Sequence, residues 1–369
     1  MKIVIFGLSV SSAWGNGHAM LLRGLFRALA GTGHEVHFFE RDLPYYAAHR
    51  DAASLSFAQV HLYADWRENL GRAARELRDA DVGMVTSYCP DGAAACEFIL
   101  ESNLPRSVFY DMDTPVTLSR LENGDPVPYL PARGLGGFDL VLSYTGGEAL
   151  DRLREQLGAR CVAPLYGWVD AANHHRVEPA AEFEADLSYL GTYSEDRQTR
   201  LDELLLAPAR RLPECGFLIA GAMYPDPGCW PRNVRHFEHV SPMRHCAFYS
   251  SSPLTLSITR GAMAAMGYCP SGRLFEAAAC GTAVLSDWWT GLDLFFEPNR
   301  EILIAGSEAE AAAAIHADRG DLARIGIRAR ERALACHTAE ARARRLISLL
   351  ESPRNETGEV FQVTACGGA

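Results

Sequence analysis

The chain has 369 residues, more than the roughly 250–300 that one hydrophobic core usually fills, so two domains are expected. Its formal net charge of −11, from 35 basic and 46 acidic residues, excludes nucleic-acid binding through the overall field. The longest apolar runs are strand-sized, such as Ile3 to Phe6, and fall far short of the roughly 20 residues a membrane span needs.

The opening Met1-Lys2-Ile3-Val4-Ile5-Phe6-Gly7 enters a strand at once and breaks at glycine, unlike a signal peptide. Ten cysteines without a C-x-x-C pair read as reduced thiols. A cytoplasmic protein without a metal site is therefore expected.

Strand and helix then alternate. A strand over 3–6 leads to a helix over 19–30, where Leu21, Leu22, Leu25, Phe26 and Leu29 recur at helical spacing. Gly31-Thr32-Gly33 stops it, and Val36 to Phe39 is the second strand of a parallel βαβ unit. Helices follow over 70–77, 93–100 and 148–157, and strands over 82–88, 107–110, 140–144 and 161–165. The polar stretch from Val169 to Ala185 lacks periodicity and reads as a linker. The alternation restarts with strands over 187–190, 217–220, 254–258, 283–286 and 302–304. Helices are expected over 196–206, 272–279 and much of the chain to Glu351. The expectation is an α/β protein of two doubly wound, Rossmann-like domains. They divide as 1–172 and 173–351, with a flexible tail over 352–369.

In such sheets ligands sit at the carboxyl ends of strands. The first such loop runs from Gly7 through Trp14-Gly15-Asn16-Gly17 to His18, at a helix start whose amides suit an anion or a sugar hydroxyl. Its glycines do not follow the dinucleotide spacing, although Glu40 and Asp42 end the second strand where a ribose-binding acid would stand. His18 is a candidate general base or a loop-bonding histidine. Asp111 and Asp113, in Tyr110-Asp111-Met112-Asp113-Thr114-Pro115, offer carboxylates to an acceptor, or a cap for the following turn.

In the second half, Gly191-Thr192-Tyr193-Ser194 leads into a helix with Arg197 and Arg200, an arrangement suited to a diphosphate. Arg260 ends a later strand. Ser271 reads as the N-cap of a helix carrying Arg273 and Glu276, a second phosphate cradle with an acid placed for ribose hydroxyls. A plain capped core helix ending at Gly281 would account for Phe275 and Ala278, but not for Arg273 and Glu276.

The segment Arg273-Leu274-Phe275-Glu276-Ala277-Ala278-Ala279-Cys280-Gly281-Thr282-Ala283-Val284-Leu285-Ser286-Asp287 resembles the donor-site helix and strand of GT-B-fold glycosyltransferases. Gly291-Leu292, Phe296-Glu297-Pro298, Ser12 to His18, Tyr110 to Pro115 and Tyr144-Thr145-Gly146-Gly147 are similar to the spore-maturation, CgeB-like branch. The resemblance implies two Rossmann-like domains facing a central cleft, the first binding acceptor and the second binding donor. It implies metal-independent transfer of a hexose-type sugar from a UDP-, TDP- or GDP-linked donor, with no cofactor. The acceptor would be a small molecule, a glycan or a protein. Glu276 would hold the ribose, and Gly191, Thr192, Arg260, Ser271 and Arg273 would surround the phosphates. Tyr193 and Arg197 join that set; Trp14, Gly15, Asn16, Gly17 and Thr114 would meet the acceptor. Where retaining relatives carry a further glutamate, this chain has Tyr268 or Cys269, which leaves an inverting route with Asp113, Asp111 or His18 as base. The alternatives are a nucleotide-sugar epimerase or hydrolase of the same fold, a dinucleotide-dependent oxidoreductase, and a non-catalytic sugar-nucleotide sensor.

Overall fold

The computed structural model describes residues 1–52 and 54–352. The described residues divide into two compact units, 1–166 with 339–352, and 167–338.

The first unit is a seven-stranded sheet of β1 (Lys2–Gly7), β2 (Glu35–Arg41), β3 (Gln59–Tyr63), β4 (Val82–Thr86), β5 (Arg106–Asp111), β6 (Leu140–Ser143) and β7 (Val162–Pro164). The order is β3-β2-β1-β4-β5-β6-β7, and every pairing is parallel. The connecting helices are α1 (Gly17–Gly31), α2 (Pro44–Ala47), α3 (Trp66–Leu77), α4 (Gly92–Glu101), α5 (Thr114–Glu122) and α6 (Glu148–Leu157). The apolar runs of β1 and β4 are buried along their whole length from Ile3 and Val82 onward, as a parallel sheet covered on both faces requires. Phe6, Phe39, Phe109 and Phe138 fill one core beside this sheet.

The second unit repeats the plan with β8 (Leu187–Leu190), β9 (Phe217–Ala220), β10 (Val234–Phe237), β11 (Leu254–Ser257), β12 (Ala283–Ser286) and β13 (Leu303–Ile304). They are parallel in the order β10-β9-β8-β11-β12-β13. Its helices are α7 (Glu195–Leu201), α8 (Ala207–Arg211), α9 (His245–Ser250), α10 (Gly261–Met266), α11 (Gly272–Ala279), α12 (Glu308–Ile315) and α13 (Arg319–Cys336). A π-turn over Asp202–Leu206 joins α7 to α8, where one helix over 196–206 was expected. In each unit the strand order reverses beside the first strand, at β1/β4 and at β8/β11. The doubly wound α/β reading therefore holds for both units.

The last helix, α14 (Ala339–Glu351), departs from the expected 173–351 domain. It belongs to the first unit and packs on α1. Ala339, Ala343, Leu346 and Leu350 bury one stripe at helical spacing, and Arg342 Nε donates to the Tyr166 carbonyl at 2.9 Å. The expected tail lies, beyond Ser352, outside the described residues. No helix among the described residues is long and apolar enough to cross a membrane.

Candidate active site

Residues at the carboxyl ends of β1, β4 and β5 make the first cluster. The loop from Leu8 to Asn16 is wired from below by Glu40 at the end of β2. That carboxylate is fully buried and accepts from Ser9 Oγ (2.8 Å), Ser11 Oγ (2.6 Å) and the amides of Val10 (2.8 Å) and Ser11 (3.0 Å). Asp42 pairs with Arg50 at 2.6 Å. Neither acid is left to hold a ribose, so the oxidoreductase alternative loses the residues it needs. Arg23 grips Asp51 through both terminal nitrogens, at 3.0 and 2.7 Å, and donates from Nε to the Val10 carbonyl at 2.7 Å. Such bidentate pairing fixes the loop's geometry as well as its energy.

Two expected acceptor contacts belong to this scaffold instead. Asn16 is buried and donates to the Ser9 carbonyl at 3.0 Å. Thr114 is buried, with its hydroxyl 2.7 Å from Ser143 Oγ and 3.3 Å from the Asp111 carbonyl. Both short side chains satisfy backbone turns, which is their commonest task. Trp14, Gly15 and Gly17 do face solvent. Trp14 is 51% exposed and stacks on His49 at 4.6 Å and 9°. Gly15 has φ +61, which a side chain would resist.

Asp113 stands at the start of α5 and does not cap it. Its Oδ2 accepts from Tyr88 Oη at 2.8 Å, while Oδ1 is buried without a partner. Tyr88 follows β4 in a left-handed conformation, φ +64, a strain that an ordinary turn would relieve with glycine. The His18 ring lies 5.8 Å from the Tyr88 ring. Burial pushes the His18 pKa down, and the Asp113 charge opposes this, so the imidazole is neutral at pH 7. Asp111 has no exposed surface, which corrects its place among the bases. Its Oδ1 accepts the Asp113 amide at 3.0 Å, and burial pushes its carboxyl up to about 6. Its carboxylate holds the Asp113 backbone in place. Tyr88 was missed from sequence; its signal was an aromatic residue just past β4 at the switch point.

The second cluster lies at the carboxyl ends of β8 and β11. Arg273, in the first turn of α11, donates from Nη1 to the Leu190 carbonyl at 2.8 Å and to Tyr189 Oη at 3.5 Å. Its Nε meets Ser271 Oγ at 3.3 Å, and its guanidinium lies over the Tyr189 ring at 5.7 Å. Burial opposes the Arg273 charge, but Tyr189, Tyr249 and Glu276 raise its pKa overall. Arg197 reaches the Thr192 carbonyl at 2.6 Å, and its Nε is buried without a partner. Burial lowers the Arg197 pKa, and Arg273 is among the charges that lower it further. Among the described residues neither arginine forms an ion pair. The two guanidinium groups thus hydrogen-bond only to neutral partners, while the nearby carboxylates of Glu276 and Asp196 favour their charged forms from a distance.

The backbone there is equally bare. Ser271 takes the N-cap position of α11, yet its hydroxyl caps nothing and receives Arg273 instead. The first-turn amides therefore have no side-chain cap. Side-chain caps occur on α3, α12 and α13, from Asp65, Ser307 and Asp318, while α1, α4, α5 and α6 start uncapped as α11 does. Gly191 lies so close that a Cβ would stand 2.5 Å from Arg273 Nη1. A Cβ on Gly221, after β9, would stand 2.0 Å from the Gly191 carbonyl oxygen.

The structure brings Gly191, Thr192, Arg197, Ser271 and Arg273 together. Arg260 stands outside the cradle: it is half exposed, 3.8 Å from Asp196, whose carboxylate also accepts the Gly261 amide. Tyr193 packs edge-on against Tyr224 at 5.8 Å, and Tyr224 Oη donates to the Gly191 carbonyl at 2.9 Å. Glu276 lies one turn beyond Arg273, its Oε2 accepting from Tyr249 Oη at 3.4 Å. Sequence reading missed Tyr189, Tyr224 and Asp287. Asp287, buried, holds the end of β11 by accepting the Thr259 amide and hydroxyl, both at 3.1 Å.

Residues 197–348 match the family model described as glycosyl transferase-like. No curated protein matches the sequence. Solved structures share the fold. Sucrose-phosphate synthase from Thermosynechococcus elongatus superposes with a TM-score of 0.66 at 16% identity, covering 95% of this chain and 98% of that one. An alpha-glucosyltransferase, solved with UDP-glucose and DNA containing an abasic site, gives 0.65 at 13%, covering 95% and 100%. HepE from Anabaena, solved with UDP-glucose, gives 0.61 at 13%, covering 95% and 99%. The fold is thus that of the GT-B glycosyltransferase structures.

Proposed function

We propose that this protein is a glycosyltransferase that moves a hexose from a nucleoside-diphosphate sugar to an acceptor hydroxyl. The observation that carries the reading is the pair Arg273 and Arg197, held beside an uncapped helix start with no carboxylate bonded to either. Two neighbouring cations with no carboxylate hydrogen-bonded to them are complementary to a diphosphate, and helix amides add to the attraction. The glycosyl transferase-like match covers the same segment, and UDP-glucose is the ligand of several structures that share the fold. A UDP-linked donor is therefore the first to try, with TDP and GDP behind it.

In the reaction, the bond from the anomeric carbon to the diphosphate oxygen breaks and its electron pair leaves with the nucleoside diphosphate. The arginines and the α11 amides stabilise the departing charge, which is the task a metal would otherwise perform. The acceptor oxygen forms the new bond to the anomeric carbon and yields its proton to a general base, for which Asp113 is the candidate in the first unit. Tyr88 and Asp111 orient that carboxylate. His18, whose ring lies 5.8 Å from that of Tyr88, is the candidate to relay the proton. Glu276 accepts ribose hydroxyls, and Trp14 on His49 presents a flat apolar face to the acceptor.

Thermal denaturation with UDP, TDP, GDP, ADP and NAD tests the reading, since a ligand specific to the folded state stabilises by about 2.7 kcal/mol at 100 times its dissociation constant. A shift with one nucleoside diphosphate, abolished in Arg273→Ala, is expected. A shift with NAD alone would sink the proposal. Free sugar as the only product, whatever acceptor is supplied, would turn it into a hydrolase.

A further inference from the structure

Glu276 has neighbours that the donor reading does not use. His174, His245 and Glu276 each bring one ligand-type atom to within 4.8 Å of the others. They come from three segments of the second unit: the loop before β8, the first residue of α9, and the second turn of α11. The loop is fixed in place. Its His174 amide donates to the Asp170 carbonyl at 2.9 Å, and Cys246 Sγ donates to the Asn173 carbonyl at 3.0 Å.

Each histidine has a nitrogen to spare. His245 Nε2 faces the Val240 carbonyl at 3.3 Å, which sets that nitrogen as the N–H and leaves Nδ1 a lone pair. A carbonyl on the far nitrogen is the usual way a metal-binding imidazole is oriented. His174 Nδ1 is buried with no hydrogen-bond partner. The first unit offers an instructive contrast. His37, His61 and Glu76 lie equally close, but Lys2 Nζ occupies Glu76 at 2.9 Å and Glu35 takes His37 Nε2 at 2.7 Å. There an ammonium group already bonds the carboxylate; among the described residues Glu276 has a neutral partner, Tyr249 Oη, and no ion pair.

We propose that His174, His245 and Glu276 bind a divalent transition metal of the zinc class, and that the bound metal excludes the nucleotide from Glu276. Two imidazoles and one carboxylate are a common ligand set for zinc, with a fourth position left to water. Ligand atoms around tetrahedral zinc stand about 3.4 Å apart at bond lengths of about 2.0–2.1 Å, so small side-chain rotations close the site. A carboxylate bound to the metal no longer accepts ribose hydroxyls. The exclusion rests on the assignment of Glu276 to the donor ribose; the metal site does not.

The test uses the full chain, stripped with EDTA and dialysed, then titrated with Co2+ followed optically and with Zn2+ by calorimetry. One equivalent is expected, with a tetrahedral cobalt spectrum lacking thiolate charge-transfer bands. Affinity should fall at least tenfold in both His174→Ala and His245→Ala, each checked for an unchanged melting profile without metal. UDP binding is measured separately, in EDTA and with saturating Zn2+. Zinc should weaken it at least tenfold in the parent protein and leave it unaltered in His245→Ala. No metal binding, or binding that survives both histidine substitutions, overturns the proposal. Unchanged or tighter UDP binding with zinc overturns the exclusion. Metal binding without any nucleotide binding in EDTA would overturn the donor reading, and the exclusion with it, while the site itself would stand.

Discussion

The two switch points share a strand order and differ in charge. Near the ends of β1, β4 and β5 the ionisable groups are the buried Asp111, the half-buried Asp113 and His18. Beside β8 and β11 they are basic: Arg197 and Arg273. Each set is built to hold what water would otherwise hold. In the first unit the carboxylates are served by hydroxyl and amide donors, Tyr88 and the Asp113 backbone. In the second the guanidinium groups are served by carbonyls, those of Leu190 and Thr192. Neither set neutralises itself with an ion pair, which would lower its cost of burial and also its use. One scaffold thus places carboxylates past the strand ends of one unit and guanidinium groups past those of the other, by exchanging a few residues.

The largest effect separating the two sites is expected from Asp113→Asn. It removes the proton acceptor while keeping an oxygen for Tyr88 to bond. Turnover should fall about 10²–10⁴-fold, the usual worth of a general base. Nucleotide affinity, measured by calorimetry, should be unchanged. Loss of affinity instead would mean that the acidic cluster serves the donor.

Asp111 makes the next difference, in stability rather than rate. Its folded pKa of about 6 lies above the ordinary 3.8. The stabilising protonated form is complete below about pH 4 and is lost as pH rises through 6. At 1.36 kcal/mol per pH unit this amounts to on the order of 3 kcal/mol. Asp111→Asn should flatten the dependence between pH 4 and 7 in urea denaturation, and be the more stable protein at pH 7. Equal slopes in the two proteins would mean that Asp111 does not carry the burial cost assigned to it.

Arg273→Met comes third. It keeps the aliphatic stem and removes the charge. Nucleoside diphosphate affinity should drop about 10–100-fold, the range for charged hydrogen bonds. The nucleoside without phosphates should bind as before, because the lost group faces the diphosphate.

How much of this was legible follows from burial. The central strands announce themselves, since Ile3 to Phe6 is an unbroken apolar run and Leu254, Leu256 and Ile258 alternate with Thr255 and Ser257. The edge strands β3 and β10 escaped, because each is half exposed and mixes His, Gln or Arg with its apolar residues. The site helix from Ser271 to Gly281 was legible because charge at a helix start following a strand is a local pattern. What escaped was non-local. Nothing in Glu40, Asn16 or Thr114 says that each is spent on a loop partner, up to 31 residues away for Glu40 and Ser9 and 29 for Thr114 and Ser143. Nor does the Ala-, Arg- and Glu-rich end of the chain reveal that α13 stops at Cys336 and α14 returns to the first unit.

Gly191→Ala gives the smallest and most local contrast. Its new methyl would meet Arg273 Nη1 at 2.5 Å and Tyr189 Oη at 2.7 Å. Both atoms end long side chains, so the fold can yield without moving its sheet. Arg273, however, cannot yield without losing the Leu190 carbonyl that aims it. Stability should fall by about 1–3 kcal/mol, as for a modest overpacking. Nucleotide affinity should fall several-fold, less than in Arg273→Met, because the charge is displaced rather than removed. The equivalent change at Gly17, which has nothing within 4 Å of its added carbon, should do neither. If the two alanine variants behave alike, the glycine at the basic switch point is a turn residue and does not make room for Arg273.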